Sequence, residues 1–402
     1  MKQAATYDEL RPLIHFCKDG RVFDAQAWVA AGKPLDPPHW PPKSSRRRTP
    51  LQYAIDSGCH SMVQVLLEGG AEVEQNERYC ALLHAVRCCR FDFIKMLVEH
   101  GGDVRPVDMH EVFSTYEADI IEFFIEHGAD VKKHSPLAYA LTNRNRVALG
   151  VYRRYAEKIP DFQRQLNLAL HNQCKDGNKK WVSLLLWAGA DPYAYASSVP
   201  DQEGSVDDNG NAIELAILYK HLDVLQIKNM LKNPTHPNAI HCLRYACTAP
   251  TAEYTSLMLK TGHPVNDRPD GTSSLIAAIY SQVPWNFFHE NLLGPVSEWK
   301  ITSYVNQPAV DQKSKILGVL LEYGAKWRPV DRKEIICMRK AMKKMGSAAT
   351  LEFVRLMEKY KACERGSMEE LFWTGTLRLR VCEVYGQILK IIARLPVKMA
   401  RQ

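Results

Sequence analysis

Long apolar runs are absent from this chain of 402 residues. Its opening stretch, MKQAATYDELRPLIHF, lacks the apolar core of a secretory leader, and no segment reaches the roughly 18–20 apolar residues that cross a bilayer. A cytoplasmic, intracellular protein with no transmembrane segment is expected. The 11 cysteines include no C-x-x-C pair. Cys59, Cys88, Cys89, Cys174 and Cys247 are scattered as small residues in helical patterns, which fits reduced thiols and not a disulfide framework. His241, Cys242 and Cys247 come nearest to a zinc cluster, but they fall where a helix is expected, so no metal site is expected. There is no G-x-x-x-x-G-K-[ST], G-x-S-x-G or H-E-x-x-H. Catalytic residues and cofactors are therefore not expected, and the reading is that of a non-enzyme. A dominant charge is missing too: 52 basic against 45 acidic residues leave +7, which permits an acidic partner without requiring one.

What is present is a repeated pattern. Thr49 to Val73, TPLQYAIDSGCHSMVQVLLEGGAEV, reads as two helices. Thr49 can cap the first with Pro50 at its first position, and Ser57-Gly58 makes the turn. Met62, Val63, Leu66 and Leu67 share one face of the second helix, and Gly70 supplies the left-handed residue that ends it. Small Ala54 lets the two helices approach closely. One such hairpin cannot bury its own apolar face, so copies are required.

Copies recur. Leu83-His84-Ala85 with Gly101-Gly102-Asp103-Val104, Ala118 to Val131, Ser135 to Ala140, and Leu166 to Pro192 repeat parts of the pattern. Asn211 to Lys232, Ile240 to Asn266 and Gly271 to Trp327 are looser, and Pro12 to His15 with Ala30-Ala31-Gly32 is an upstream copy. Gly70 and Gly101 stand 31 apart, and Gly128 and Gly189 stand 61 apart. The T-P-L-x-x-A start and the G-A-D-V-like turn resemble the ankyrin-repeat family, whose period is about 33 residues.

That resemblance implies an all-α solenoid of roughly nine or ten stacked helical hairpins with finger loops. The expected organisation is a capping repeat over 1–36, a Pro/Arg-rich loop over 37–48, ankyrin-like repeats over 49–363, and a helical C-terminal cap or docking tail over 364–402. A long loop at 193–210 and an insertion at 283–313 interrupt the repeats. By the same resemblance, His15 and His84 occupy a position where the family uses histidine in a structural hydrogen bond. Asp56, Ser57, Arg87, Cys88, Thr142, Asn143, His171 and Asn172 are placed on a concave binding side, with Tyr79 in a finger loop.

The interruptions supply further candidates. The segment from Pro34 to Arg48 holds five prolines and cannot be helical; it carries Trp40 and the consecutive Arg46, Arg47 and Arg48. It is either a solvated linker or a binding arm. The loop after Gly189 contains Tyr193 and Tyr195, and its acidic run DQEGSVDDNG lacks the spacing of a calcium loop. The insertion is rich in aromatics, with Trp285, Phe287, Phe288 and Trp299, and it either folds back or anchors a partner. Arg144, Arg146, Arg153 and Arg154 crowd one predicted helix, where a solvated face is the ordinary reading. The resulting expectation is a non-catalytic protein–protein interaction module acting as scaffold, adaptor, inhibitor or complex subunit. The alternatives are a nucleic-acid-associated protein using the Arg clusters, or a regulatory subunit of an enzyme on another chain. Membrane contact through the basic C-terminal tail is disfavoured.

Overall fold

Thr49 opens the pattern as its chemistry requires. Its hydroxyl accepts from Gln52 N–H at 3.1 Å while the Gln52 side chain accepts from Thr49 N–H at 3.0 Å. This reciprocal capping box, with Pro50 next, starts a helix whose left-handed terminator is Gly58, at φ 70°. The structure in which this is seen is a computed structural model that describes residues 3–38, 48–74, 80–195, 210–249, 251–266, 278, 307–326, 355–357 and 359–362. These residues are helical, with single-pair bridges and no strand among them. None of the described helices is long and apolar enough to cross a membrane.

Contacts divide the chain into two compact units, Met1–Ala169 and Leu170–Gln402. The first stacks helical pairs: α1 (Arg11–Asp19) with α2 (Val22–Ala30), α3 (Pro50–Ser57) with α4 (His60–Glu68), and α5 (Ala81–Arg87) with α6 (Phe91–Glu99). Then come α7 (Met109–Phe113) with α8 (Ala118–Glu126) and α9 (Pro136–Thr142) with α10 (Arg146–Tyr155). First helices pack on first helices, α1 on α3, α3 on α5, α5 on α7 and α7 on α9. Fully buried Ala54 and Ala85 stand at the same place in successive first helices, where a larger side chain would hold the helices apart.

Most of the second helices end alike, α10 excepted. Gly70 N–H bonds to Leu67 O at 2.9 Å and Ala71 N–H to Leu66 O at 2.9 Å, with Gly70 at φ 87°. The same two-bond closure follows α6 at Gly101-Gly102 and α8 at Gly128-Ala129. Acidic side chains then tie one turn to the next: Asp36 accepts from Glu72 N–H, and Glu74 accepts from Asp103 N–H at 3.0 Å.

The second unit begins within α11 (Asp161–Lys175) and continues through α12 (Lys179–Trp187), α13 (Ala212–Leu218), α14 (Leu222–Leu225), α15 (Ala239–Ala246), α16 (Ala252–Lys260) and α17 (Gln307–Glu322). The same two-bond closure returns at Gly189-Ala190, Gly262-His263 and Gly324-Ala325. Helix α17 starts at Gln307, inside the interval expected to be insertion and upstream of the expected start near Ile316. Helix α7 was not visible as a separate element. It is five residues long and starts on the Asp108 side chain, which accepts from His110 N–H.

Candidate partner-binding surface

The stacked first helices of the first unit carry a recurring contact. A residue in the last turn of one helix meets a residue in the middle of the next. Lys18 Nζ lies 4.5 Å from the Tyr53 ring centroid. Asp56 Oδ1 is 2.7 Å from His84 Nε2. Arg87 Nη2 donates to Glu111 Oε1 at 2.6 Å. One helix further, His110 stacks on Tyr139 with centroids 4.6 Å apart and planes 8° from parallel. The repeat explains the first part of this ladder, because α3 and α5 present the same two positions, four and seven residues after the cap; the short α7 uses His110 and Glu111 in their place.

Its electrostatics are local. Arg48 Nη1 donates to Asp56 Oδ2, so that one carboxylate joins Arg48 to His84. The Glu111 hydrogen bond raises the Arg87 guanidinium above its usual range. Burial, and then the neighbouring Asp56 charge, push the Cys88 thiol up. Tyr139 remains 51% exposed at the end of the ladder.

Arg48, Asp56 and Arg87 therefore come together on one face. His171 and Tyr193 do not belong to any surface. His171 is 2% exposed, with Nε2 bonded to Ala194 O at 3.0 Å. Tyr193 is 1% exposed: its ring stacks on His236 and its hydroxyl meets His263 Nε2 at 3.1 Å. Since His263 Nδ1 lies 2.9 Å from Met258 O and donates to it, Nε2 is left to accept from the tyrosine. Tyr195 forms a bridge with Asn211, and its hydroxyl donates to buried Glu214 at 3.3 Å. These tyrosines, expected in a long loop from 193, instead fix its base. Trp40, Arg46, Arg47, Tyr79, Trp285, Phe287, Phe288 and Trp299 lie outside the described residues. Lys18, Tyr53, Glu111, His110 and Tyr139 were missed from the sequence. A signal was available for two of them: Tyr53 and Tyr139 stand four residues after the caps of α3 and α9, as His84 does after that of α5.

Residues 33–108, which hold the centre of this ladder, match a family model described as ankyrin repeats (3 copies). These are ankyrin repeats. Ankyrin repeats are generally protein–protein interaction modules and typically non-catalytic. No curated protein matches the chain. Among solved structures, the ankyrin repeat domain of Bcl-3, described as a unique member of the IkappaB protein family, is 19% identical with a TM-score of 0.39; the alignment covers 54% of this chain and 98% of that one. The human ASB11 ankyrin repeat domain is 16% identical with a TM-score of 0.27, covering 68% of this chain and 98% of that one.

Proposed function

We propose that this ankyrin-repeat chain is a non-catalytic recognition module that binds another protein through the ladder on its first helices. The observation that carries the reading is the alignment of Tyr53, Arg87 and exposed Tyr139 on one face, residue types that concentrate binding energy at interfaces. Exposed ion pairs of this kind add only about 0.2–1 kcal/mol each to stability, so a partner can replace them at little cost. Trp40, Arg46, Arg47, Tyr79 and the Trp285, Phe287, Phe288 and Trp299 group are proposed as further anchors, argued from sequence.

A nucleic-acid role fits this face less well. Arg48 is paired with Asp56 and Arg87 with Glu111, so its cations do not add into a continuous track. Scaffold, adaptor, inhibitor or subunit of an intracellular complex all remain forms of the same proposal, including a regulatory subunit. The test is recovery of the tagged full chain from its native cell at moderate and high salt, with and without nuclease. A defined protein retained in every condition and lost from an Arg87→Glu/Tyr139→Ala double variant supports the reading. Recovery of nucleic acid alone, released by salt, overturns it.

A further inference from the structure

Within the ladder, three side chains of different chemistry converge. Asp56 Oδ1 is 2.7 Å from His84 Nε2, Cys88 Sγ is 3.7 Å from the same nitrogen, and Sγ is 3.8 Å from the same oxygen. His84 and Cys88 lie one helical turn apart at the end of α5, so both project to one side. Asp56 arrives from the last turn of α3. Among the described residues this is the one group of three or more His, Cys, Asp or Glu side chains close enough to share an ion.

We propose that Asp56, His84 and Cys88 bind a divalent transition metal of borderline softness, zinc above all, in a three-ligand site. Bond lengths of about 2.0–2.2 Å to nitrogen and oxygen and about 2.3 Å to sulfur, at tetrahedral angles, place nitrogen and oxygen about 3.4 Å apart and sulfur about 3.6 Å from each. The two sulfur separations already match. The Asp56–His84 hydrogen bond must open by about 0.7 Å, a side-chain adjustment, as the metal replaces the bond between them. Thiolate, neutral imidazole and carboxylate together carry two negative charges, balancing the ion; the thiol proton leaves on binding. Arg48 holds the other Asp56 oxygen and orients the carboxylate from outside, as partners of ligating carboxylates do. Asp56 is exposed and the other two are half-buried, which leaves a fourth position on the solvent side for water or a donor from another molecule. No spacing along the chain announces this site, because the third ligand comes from the neighbouring repeat.

The test uses the reduced full chain with Co²⁺ alone as the spectroscopic probe, followed by Zn²⁺ displacement. One equivalent of Co²⁺ should give sulfur-to-cobalt charge-transfer absorption and tetrahedral ligand-field bands, both removed by Zn²⁺. Cys88→Ser should abolish the sulfur band. Asp56→Asn and His84→Gln should each weaken binding by more than the ~10–100-fold typical of losing an outer partner. Cys89→Ser, the adjacent exposed thiol, should change nothing. Far-ultraviolet circular dichroism establishes that each variant is folded. Absence of the band, its survival in folded Cys88→Ser, or its equal loss in Cys89→Ser overturns the assignment.

Discussion

His171 shows how a single side chain changes role with burial. Burial holds its pKa down, at about 4 against an ordinary 6.5, and His263 is lowered likewise to about 4. Between these limits the unfolded chain binds a proton that the folded chain refuses, so each histidine contributes stability that is lost as pH falls from 6.5 towards 4. Glu214 acts in the opposite sense: burial raises it from 4.5 to about 7, so its contribution is lost as pH rises through that interval. In urea titrations of the full chain, His171→Gln should therefore lower the slope of stability against pH between 4.5 and 6.5 by up to about 1.4 kcal/mol per pH unit, and Glu214→Gln should increase it. Parallel profiles for the three proteins would show that neither group is held as described. Sequence placed His171 on a binding side because it follows the expected register. Its Nε2 bonds Ala194 O, beyond the next helix, and no local pattern announces that contact.

Among the elements, the best-read helix was the one with complete local signals. Thr49, Pro50 and Gln52 specify the start of α3 by themselves, and Gly58 and Gly70 specify its end and that of α4. Thr49→Ala should cost about 1 kcal/mol, seen as a lower urea midpoint at constant m-value. Helix α9 looks equivalent in sequence, with Ser135-Pro136-Leu137, yet Ser135 sits at φ 52° and makes no cap. Buried Gln165 of α11 caps it instead, accepting from Leu137 N–H at 2.8 Å and donating to Val131 O at 2.8 Å. Gln165→Ala strands these buried groups and should cost about 1–3 kcal/mol, whereas Ser135→Ala, which removes only an acceptor for Arg164 and no cap, should cost less than Thr49→Ala. Equal losses at Ser135 and Thr49 would contradict this division. A cap supplied from 28 residues away leaves nothing for a local reading to find.

At the scale of the whole molecule, recurrence was legible and the binding face only partly so. Leucine, alanine and glycine spacings disclose stacked hairpins because every copy must bury the same face against its neighbours. The ladder is harder to read: its pairs, such as Arg87 with Glu111, join one copy to the next, and their meaning emerges only when the copies are superposed. Tyr193 misled for a related reason, since its partner His263 lies 70 residues along the chain. Whether that ladder binds a partner is decided by calorimetric affinity for the captured protein, comparing the native chain with Tyr53→Ala, Arg87→Ala and Tyr139→Ala. At least one variant should lose 2 kcal/mol or more, about thirtyfold in Kd, while retaining native helicity. Three folded variants that bind as tightly as the native chain would move the interface away from the first helices.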